Sequence, residues 1–171
     1  GSDSHENALS MEMPDNERVD GHRRVTRWFT NFVKHSGEVS RQSIMSALQK
    51  GQVYMVFEAF GTPVGFDFKS ETQAGRQYLK LIKPQISRWW AELDPIKSPS
   101  ISLILYRATT DGWDEVASSS QDIVYEVTKP GVYRAEVRIE PNHLEYYLDE
   151  EIGLIDEFPW IYSNPIVINL N

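Results

Sequence analysis

The sequence contains no cysteine and only four histidines in 171 residues. The absence of cysteine excludes disulfide bonds, thiol nucleophiles and cysteine-based zinc sites. The sequence also lacks any run that approaches the roughly 18 consecutive apolar residues of a membrane-spanning helix. Residues 1–6 are polar and are not expected to act as a secretory signal. We therefore expect neither a thiol-based site nor a membrane-embedded segment.

Basic residues are also in short supply. The chain has 17 Lys and Arg against 25 Asp and Glu, which gives a formal net charge of −8. A general nucleic-acid or anionic-membrane binder has the opposite balance, so we expect neither as a partner. Apolar residues make up 40% of the chain and charged residues 25%, which predicts one packed domain with an attached arm.

The first fifty residues carry helical patterns. A stripe at helical spacing predicts a first helix over about 18–35, formed by Val25, Trp28, Phe29, Phe32 and Val33. A second helix is predicted over about 41–50, because Ser40 is a good N-cap residue and Gly51 stands where a C′ glycine ends a helix. These two helices form the predicted N-terminal arm.

After Gly51 the apolar period changes to two, which is typical of strands. Predicted strands cover 53–60, 64–68, 78–82, 101–107, 113–117, 123–127, 132–140 and 166–170. In the clearest one, Tyr133 and Val137 share a buried face, while Arg134 and Arg138 share a solvated face with Glu136. The predicted fold is mainly β: an antiparallel β-sandwich, immunoglobulin-like or jelly-roll-like, preceded by a two-helix N-terminal arm. The predicted boundary places the arm in residues 1–51 and the sandwich in residues 52–171.

Few residues could carry chemistry. The sequence has no phosphate-cradling glycine loop, no nucleophile elbow and no HExxH motif. Asp3 and His5 stand two residues apart, so an extended segment could direct both side chains to one metal ion. Asp20 and His22 have the same spacing, but the predicted helix start favours a cap and a surface position for them. Two ligands are fewer than a catalytic metal site needs.

The aromatic residues allow two interpretations. The set comprises Trp89, Trp90, Trp113, Tyr146, Tyr147, Trp160 and Tyr162. These rings could form a platform for sugar rings, or they could pack in the core and in interdomain contacts. We favour the second interpretation. The six acidic residues between 143 and 157 are interpreted as a solvated loop rather than an acid–base pair or calcium site.

Three segments resemble the C-terminal part of PHP-domain proteins, a group of metal-dependent phosphoesterases. Residues 1–7 (GSDSHEN) are similar to the last metal-binding segment of that family, of the form G-[ST]-D-x-H. Residues 54–68 (YMVFEAFGTPVGFDF) and 159–168 (PWIYSNPIVI) are similar to its β region. The resemblance covers most of the chain, and its β motifs are its most specific part.

The resemblance implies a catalytic barrel upstream of this chain as its partner. It assigns Asp3 and His5 to the metal site, with a divalent ion, Zn or Mn, in the parent protein and none expected in this chain. It further suggests that Arg23, Arg27 and Trp28 contact the barrel or a phosphorylated small-molecule substrate. The predicted function is a C-terminal, substrate-covering accessory domain that is not catalytic by itself. The alternatives are a carbohydrate- or ligand-binding module and a structural interaction domain.

Overall fold

The structure is a computed structural model that describes residues 12, 16, 18, 20–25, 28–87, 98–145 and 155–170. Within these residues the helices are α1 (His22–Val25) and α2 (Arg41–Gln49), and 3₁₀ turns span Glu58–Phe60 and Asn142–Leu144. The strands are β1 (Thr30–Val33), β2 (Val53–Val56), β3 (Pro63–Val64), β4 (Asp67–Gln73), β5 (Arg76–Ile82), β6 (Gln85–Ile86), β7 (Ser100–Ala108), β8 (Trp113–Ser119), β9 (Ile123–Glu126), β10 (Gly131–Glu140), β11 (Phe158–Ser163) and β12 (Ile166–Ile168). The prediction of a mainly β protein with antiparallel sheets is confirmed.

The strands form one large sheet and two smaller ones. The 7-stranded sheet has the order β1-β2-β11-β10-β7-β8, and β12 also pairs with β10. Strands β4, β5 and β9 form a second sheet, and β3 pairs with β6. Every pairing is antiparallel. β7 and β8 form a hairpin around Asp111-Gly112, a dipeptide that is typical of hairpin turns.

One hydrophobic cluster joins the two larger sheets. Leu103 and Val137 of the 7-stranded sheet and Leu79 and Leu81 of the 3-stranded sheet belong to it, and each is at most 1% exposed. Burying side chains of this size stabilises the fold by about 1.5–3 kcal/mol each. The alternation in β10 explains the arrangement, because it directs one row of apolar side chains into this cluster.

The predicted first helix is wrong over most of its length. Among the described residues of 18–35, only the single turn α1 is helical, and Thr30–Val33 is an edge strand that pairs with β2. Tertiary contact overrides the helical pattern here: the Phe32 ring stacks on Tyr54 with ring centroids 5.3 Å apart. The predicted arm therefore contributes a strand to the 7-stranded sheet, while the division of the chain at residue 51 stays a prediction.

Two strand details also differ from the predictions. β2 ends at Val56, and the apolar residues that follow form the 3₁₀ turn Glu58–Phe60 rather than more strand. The face of β10 predicted to be solvated is partly covered, since Glu136 is only 5% exposed. Arg138 Nη1 donates to Glu136 Oε1 at 3.0 Å, and this ion pair lets a carboxylate remain at a buried position.

Helix α2 begins and ends as predicted. Ser40 and Ser43 form a reciprocal capping box at its start. At its end, Gly51 N donates to Leu48 O at 3.0 Å and Gln52 N donates to Ala47 O at 2.9 Å, which is a Schellman motif. Gly51 has φ +67°, and a Cβ there would lie 3.3 Å from Asn164 Nδ2.

We expect Gly51→Ala to destabilise the protein by more than Gly75→Ala. Both glycines have positive φ, +67° and +77°, but a Cβ at Gly75 would meet nothing within 4 Å. Each substitution costs about 1–2 kcal/mol in the left-handed conformation, and only the first also displaces Asn164. Urea unfolding of both variants measures the difference. Equal losses would show that the contact with Asn164 carries no energy.

Candidate functional site

The structure tests few of the predicted site residues. Asp3, His5 and Arg27 lie outside the described residues. Asp3 and His5 are the metal ligands that the resemblance implies. Arg23 lies on the short helix α1, and Trp28 is 49% exposed. Among the residues that the structure describes, no group of three or more His, Asp or Glu could hold a metal ion. The assignment of Asp3 and His5 to a metal therefore stays a prediction.

The aromatic residues are divided between core and surface. Trp160 is fully buried and donates its Nε1–H to Gly61 O at 2.9 Å, so it cannot belong to a sugar-binding platform. Trp113 is 39% exposed and lies, with Tyr162, against Arg134. Trp89, Trp90, Tyr146 and Tyr147 lie outside the described residues.

The second and third segments of the PHP resemblance meet in space. Strand β11, from the third segment, pairs with β2, which carries the start of the second. The Trp160 hydrogen bond to Gly61 joins the same two segments at another point. Residues 99 or more positions apart in the sequence thus form one continuous structural unit. One end of this unit lies beside the turn that follows α2.

Asn164 connects the loop after β11 to that turn. Its backbone N donates to Val53 O at 3.2 Å, and its side-chain Nδ2 donates to Gly51 O at 3.1 Å. Ser163 Oγ accepts a hydrogen bond from Ala135 N at 2.8 Å, which holds the same loop against β10. Three hydrogen bonds therefore fix the loop that forms one wall of a cleft.

This cleft has a volume of about 380 Å³ and lies between the α2–β2 turn, strand β4 and the β11–β12 loop. Tyr54, Phe66, Phe68 and Ile166 form its main apolar lining. The Tyr54 ring meets Phe66 edge-on, with centroids 4.8 Å apart. The volume falls in the range of about 300–1,000 Å³ that is usual for small-molecule sites.

Three lysines, Lys34, Lys50 and Lys69, line the same cleft, whose described lining contains no carboxylate. Lys34 forms an ion pair with Asp67. Lys69 Nζ lies 3.0 Å from Glu71 Oε1, and the hydrogen bond and charge of Glu71 raise the pKa of Lys69. Lys50 makes no ion pair with any described residue, so its ammonium charge is not neutralised within this part of the chain.

Tyr54 adds a neutral hydroxyl to this cationic cleft. Burial, and secondarily the charge of Asp67, raises the pKa of Tyr54, so the phenol stays protonated at neutral pH. The lining therefore offers ammonium groups, hydroxyls and an aromatic surface. Groups of these kinds suit an anion with an apolar part, and the described lining includes no thiol, histidine or carboxylate for nucleophilic or general-base chemistry.

The lysines of the cleft were not predicted from the sequence. Lys34, Lys50 and Lys69 lie in three separate segments, and no local motif marks them. The only nearby signals were Gly51, interpreted as a helix end, and the segment 159–168, noted for its resemblance. The acidic residues Glu150 and Glu151 lie outside the described residues.

Comparison with known proteins adds no relative. No family model matches the chain, and searches of curated proteins and of solved structures find no similar protein. In the described part of the chain, no helix is both long and apolar enough to cross a membrane. The cleft and the residues that form it are therefore the basis for the proposed function.

His143 lies apart from the cleft and predicts a pH effect on stability. It is 8% exposed, its Nε2 lies 3.1 Å from Phe60 O, and burial lowers its pKa below 6.5. The unfolded chain then binds a proton more readily, so the stability that His143 contributes is full above about pH 6.5 and falls as the pH drops below it.

We expect the wild-type protein to lose more stability than His143→Gln between about pH 8 and about pH 5. Unfolding by urea at both pH values measures each loss, and the comparison removes the contribution of all other titrating groups. Equal losses in the two proteins would show that protonation of His143 is not linked to unfolding.

Proposed function

We propose that this chain is a non-catalytic β-sandwich module that binds a small anionic ligand in the lysine-lined cleft. In line with the PHP resemblance, we further propose that it is the C-terminal accessory domain of a metal-dependent phosphoesterase and covers a phosphorylated substrate. The observation that carries the binding proposal is the convergence of Lys34, Lys50 and Lys69 on an aromatic cleft.

The charge of the chain makes this convergence informative. In a protein of net charge −8, three lysines from three separate segments line one concave site. Like charges repel when they are brought together, so a lysine in this group that has no carboxylate partner favours the approach of an anion. Asp67 and Glu71 offset two of the lysines, and Lys50 has no such partner among the described residues. A phosphate group supplies the missing negative charge.

The apolar lining defines the other half of the ligand. Tyr54, Phe66 and Phe68 offer ring surface that phosphate alone cannot use. A phosphate or carboxylate attached to an apolar group would contact both parts of the cleft. We therefore propose an aryl or alkyl phosphate as the ligand class.

We also propose that the 7-stranded and 3-stranded sheets pack as the two layers of a β-sandwich. The hydrophobic cluster shared by the 7-stranded and 3-stranded sheets supports two packed layers. The segments 54–68 and 159–168, which carry the PHP resemblance, pair with each other beside the cleft. This pairing supports the proposal that both belong to one accessory domain. The alternative, a platform for neutral carbohydrate, is less well supported, because Trp160 is buried and cannot contact a sugar.

Calorimetric titration at low ionic strength tests the binding proposal with phenyl phosphate, inorganic phosphate and phenol. We expect phenyl phosphate to bind most tightly, because only it meets both the cations and the rings. Added salt should weaken its binding. Equal binding of phenol and phenyl phosphate, or no binding of either, would contradict the proposal.

A phosphoesterase assay with Mn or Zn tests the accessory role separately. We expect no turnover by this chain and turnover by the chain extended upstream through a barrel. Turnover by this chain alone would refute the non-catalytic assignment. Inactivity of the extended chain would refute the PHP proposal and leave the binding proposal intact.

A further inference from the structure

A second cluster of polar and aromatic residues lies on the outer face of the 7-stranded sheet, away from the hydrophobic cluster. Arg134 on β10 stands opposite Tyr106 on β7 in the strand register. The Arg134 Cζ lies 4.4 Å from the ring centroid of Trp113, 5.4 Å from that of Tyr106 and 5.8 Å from that of Tyr162. Rings from three strands thus surround one guanidinium group.

The hydrogen-bond capacity of Arg134 is not used within the described residues. A guanidinium carries five N–H donors. The Nε atom of Arg134 is buried and has no hydrogen-bond partner in the part of the chain that the structure describes. Buried polar atoms normally have a partner, so an atom without one requires an explanation.

Arg138 lies on the same face and, unlike Arg134, forms ion pairs with carboxylates in the part of the chain that the structure describes. Its Nη1 lies 3.0 Å from Glu136 Oε1, and its Nε lies 2.9 Å from Glu157 Oε2. The two arginines are four residues apart on one strand, so both side chains leave the same side of the sheet. Within the described residues, Arg138 forms ion pairs with carboxylates there, whereas Arg134 contacts rings. Burial and, secondarily, the charges of Glu136 and Glu115 raise the pKa of Tyr106, so these carboxylates lie near the ring cluster without an ion pair to Arg134.

We propose that Arg134, Tyr106, Trp113 and Tyr162 form a second binding site, whose ligand is an acidic saccharide such as a uronic acid. The guanidinium matches a planar carboxylate with two parallel hydrogen bonds. Trp113 is 39% exposed and offers a ring surface on which the apolar face of a sugar can stack. Neither feature depends on the lysine-lined cleft, and the two sites share no residue.

The single cation sets the ligand class. One guanidinium suits a monoanionic carboxylate, while the cleft combines Lys50 with two lysines that are already paired with Asp67 and Glu71. The rings favour a saccharide over a simple carboxylate, because acetate cannot stack on Trp113. The site thus differs from the cleft in both charge and shape of its ligand.

Titration followed by amide chemical shifts tests the proposal with methyl glucuronide, methyl glucoside and acetate as probes. We expect methyl glucuronide to bind at least tenfold more tightly than either other probe. Its shifts should centre on Tyr106, Trp113, Arg134 and Tyr162. Equal binding of methyl glucoside would overturn the role of the carboxylate, and equal binding of acetate would overturn the saccharide assignment.

Arg134→Met is expected to reduce the affinity for methyl glucuronide at least tenfold, and Arg76→Met is the matched control. Among the described residues, Arg76 pairs with Glu126 on the exposed surface of the 3-stranded sheet, so its loss should leave binding unchanged. If Arg134→Met fails to fold, the shift map of the wild-type protein still decides the question. Unchanged affinity in a folded Arg134→Met variant would overturn the proposal, whereas phenyl phosphate binding should survive this substitution.

Discussion

Replacing Trp160 by alanine is expected to lower the free energy of unfolding by about 3–5 kcal/mol, because it removes a large buried ring and leaves a cavity. Trp160 has no exposed surface, and its indole N–H donates to Gly61 O at 2.9 Å. This hydrogen bond links β11 to the loop after the first 3₁₀ turn. The loss is a large share of the 5–15 kcal/mol that is typical of a folded domain. Urea unfolding monitored by circular dichroism measures it.

Two further variants separate the causes. Trp160→Phe keeps most of the ring but leaves the Gly61 carbonyl without its donor, so we expect a smaller loss of about 1–3 kcal/mol. Trp28→Ala removes a tryptophan that is 49% exposed, and it should cost less than Trp160→Ala. A Trp160→Ala protein as stable as Trp28→Ala would show that this region does not belong to the core.

Reversing the charge of Lys50 is the prediction with the largest expected effect on binding. Lys50→Glu replaces an attractive unit charge by a repulsive one beside the bound phosphate. At about 1 kcal/mol per unit charge for groups near 4 Å apart in water, the change amounts to about 2 kcal/mol. We therefore expect the affinity for phenyl phosphate to fall about thirtyfold.

Lys129→Glu is the matched control for this reversal. Lys129 is exposed in the turn before β10 and does not line the cleft, but its replacement changes the net charge by the same amount. We expect its affinity to remain close to that of the wild-type protein at moderate ionic strength, because salt screens distant charges. Equal losses in the two variants would mean that overall charge, not the cleft, determines binding.

The sequence predicted those elements whose signals are local. The caps at Ser40 and Gly51 located α2, and strict alternation located β7, β10 and β12. The first helix was mispredicted because Val25, Phe29 and Phe32 satisfy a helical period, while pairing with β2 decides the conformation of Thr30–Val33. A strand of four residues gives too short a pattern to outweigh that period.

The candidate sites were less predictable than the fold, because they depend on contacts between distant segments. Lys34 meets Asp67 only after β1 has joined the sheet, an arrangement that the helix prediction excluded. Arg134 was expected on a solvated face, and alternation gave that side correctly. The three rings around it come from strands whose register the sequence does not specify. The β motifs 54–68 and 159–168 include residues that line the cleft, but they were singled out for their resemblance rather than for the lysines.

The central claim is that the lysine-lined cleft holds an anionic group. The most direct test is a map of amide chemical-shift changes on titration of the wild-type protein with phenyl phosphate. We predict that the changes concentrate in residues 50–54 and 163–166, the two segments that Asn164 joins across the cleft. An absence of shifts, or shifts confined to the surroundings of Arg134, would contradict the account.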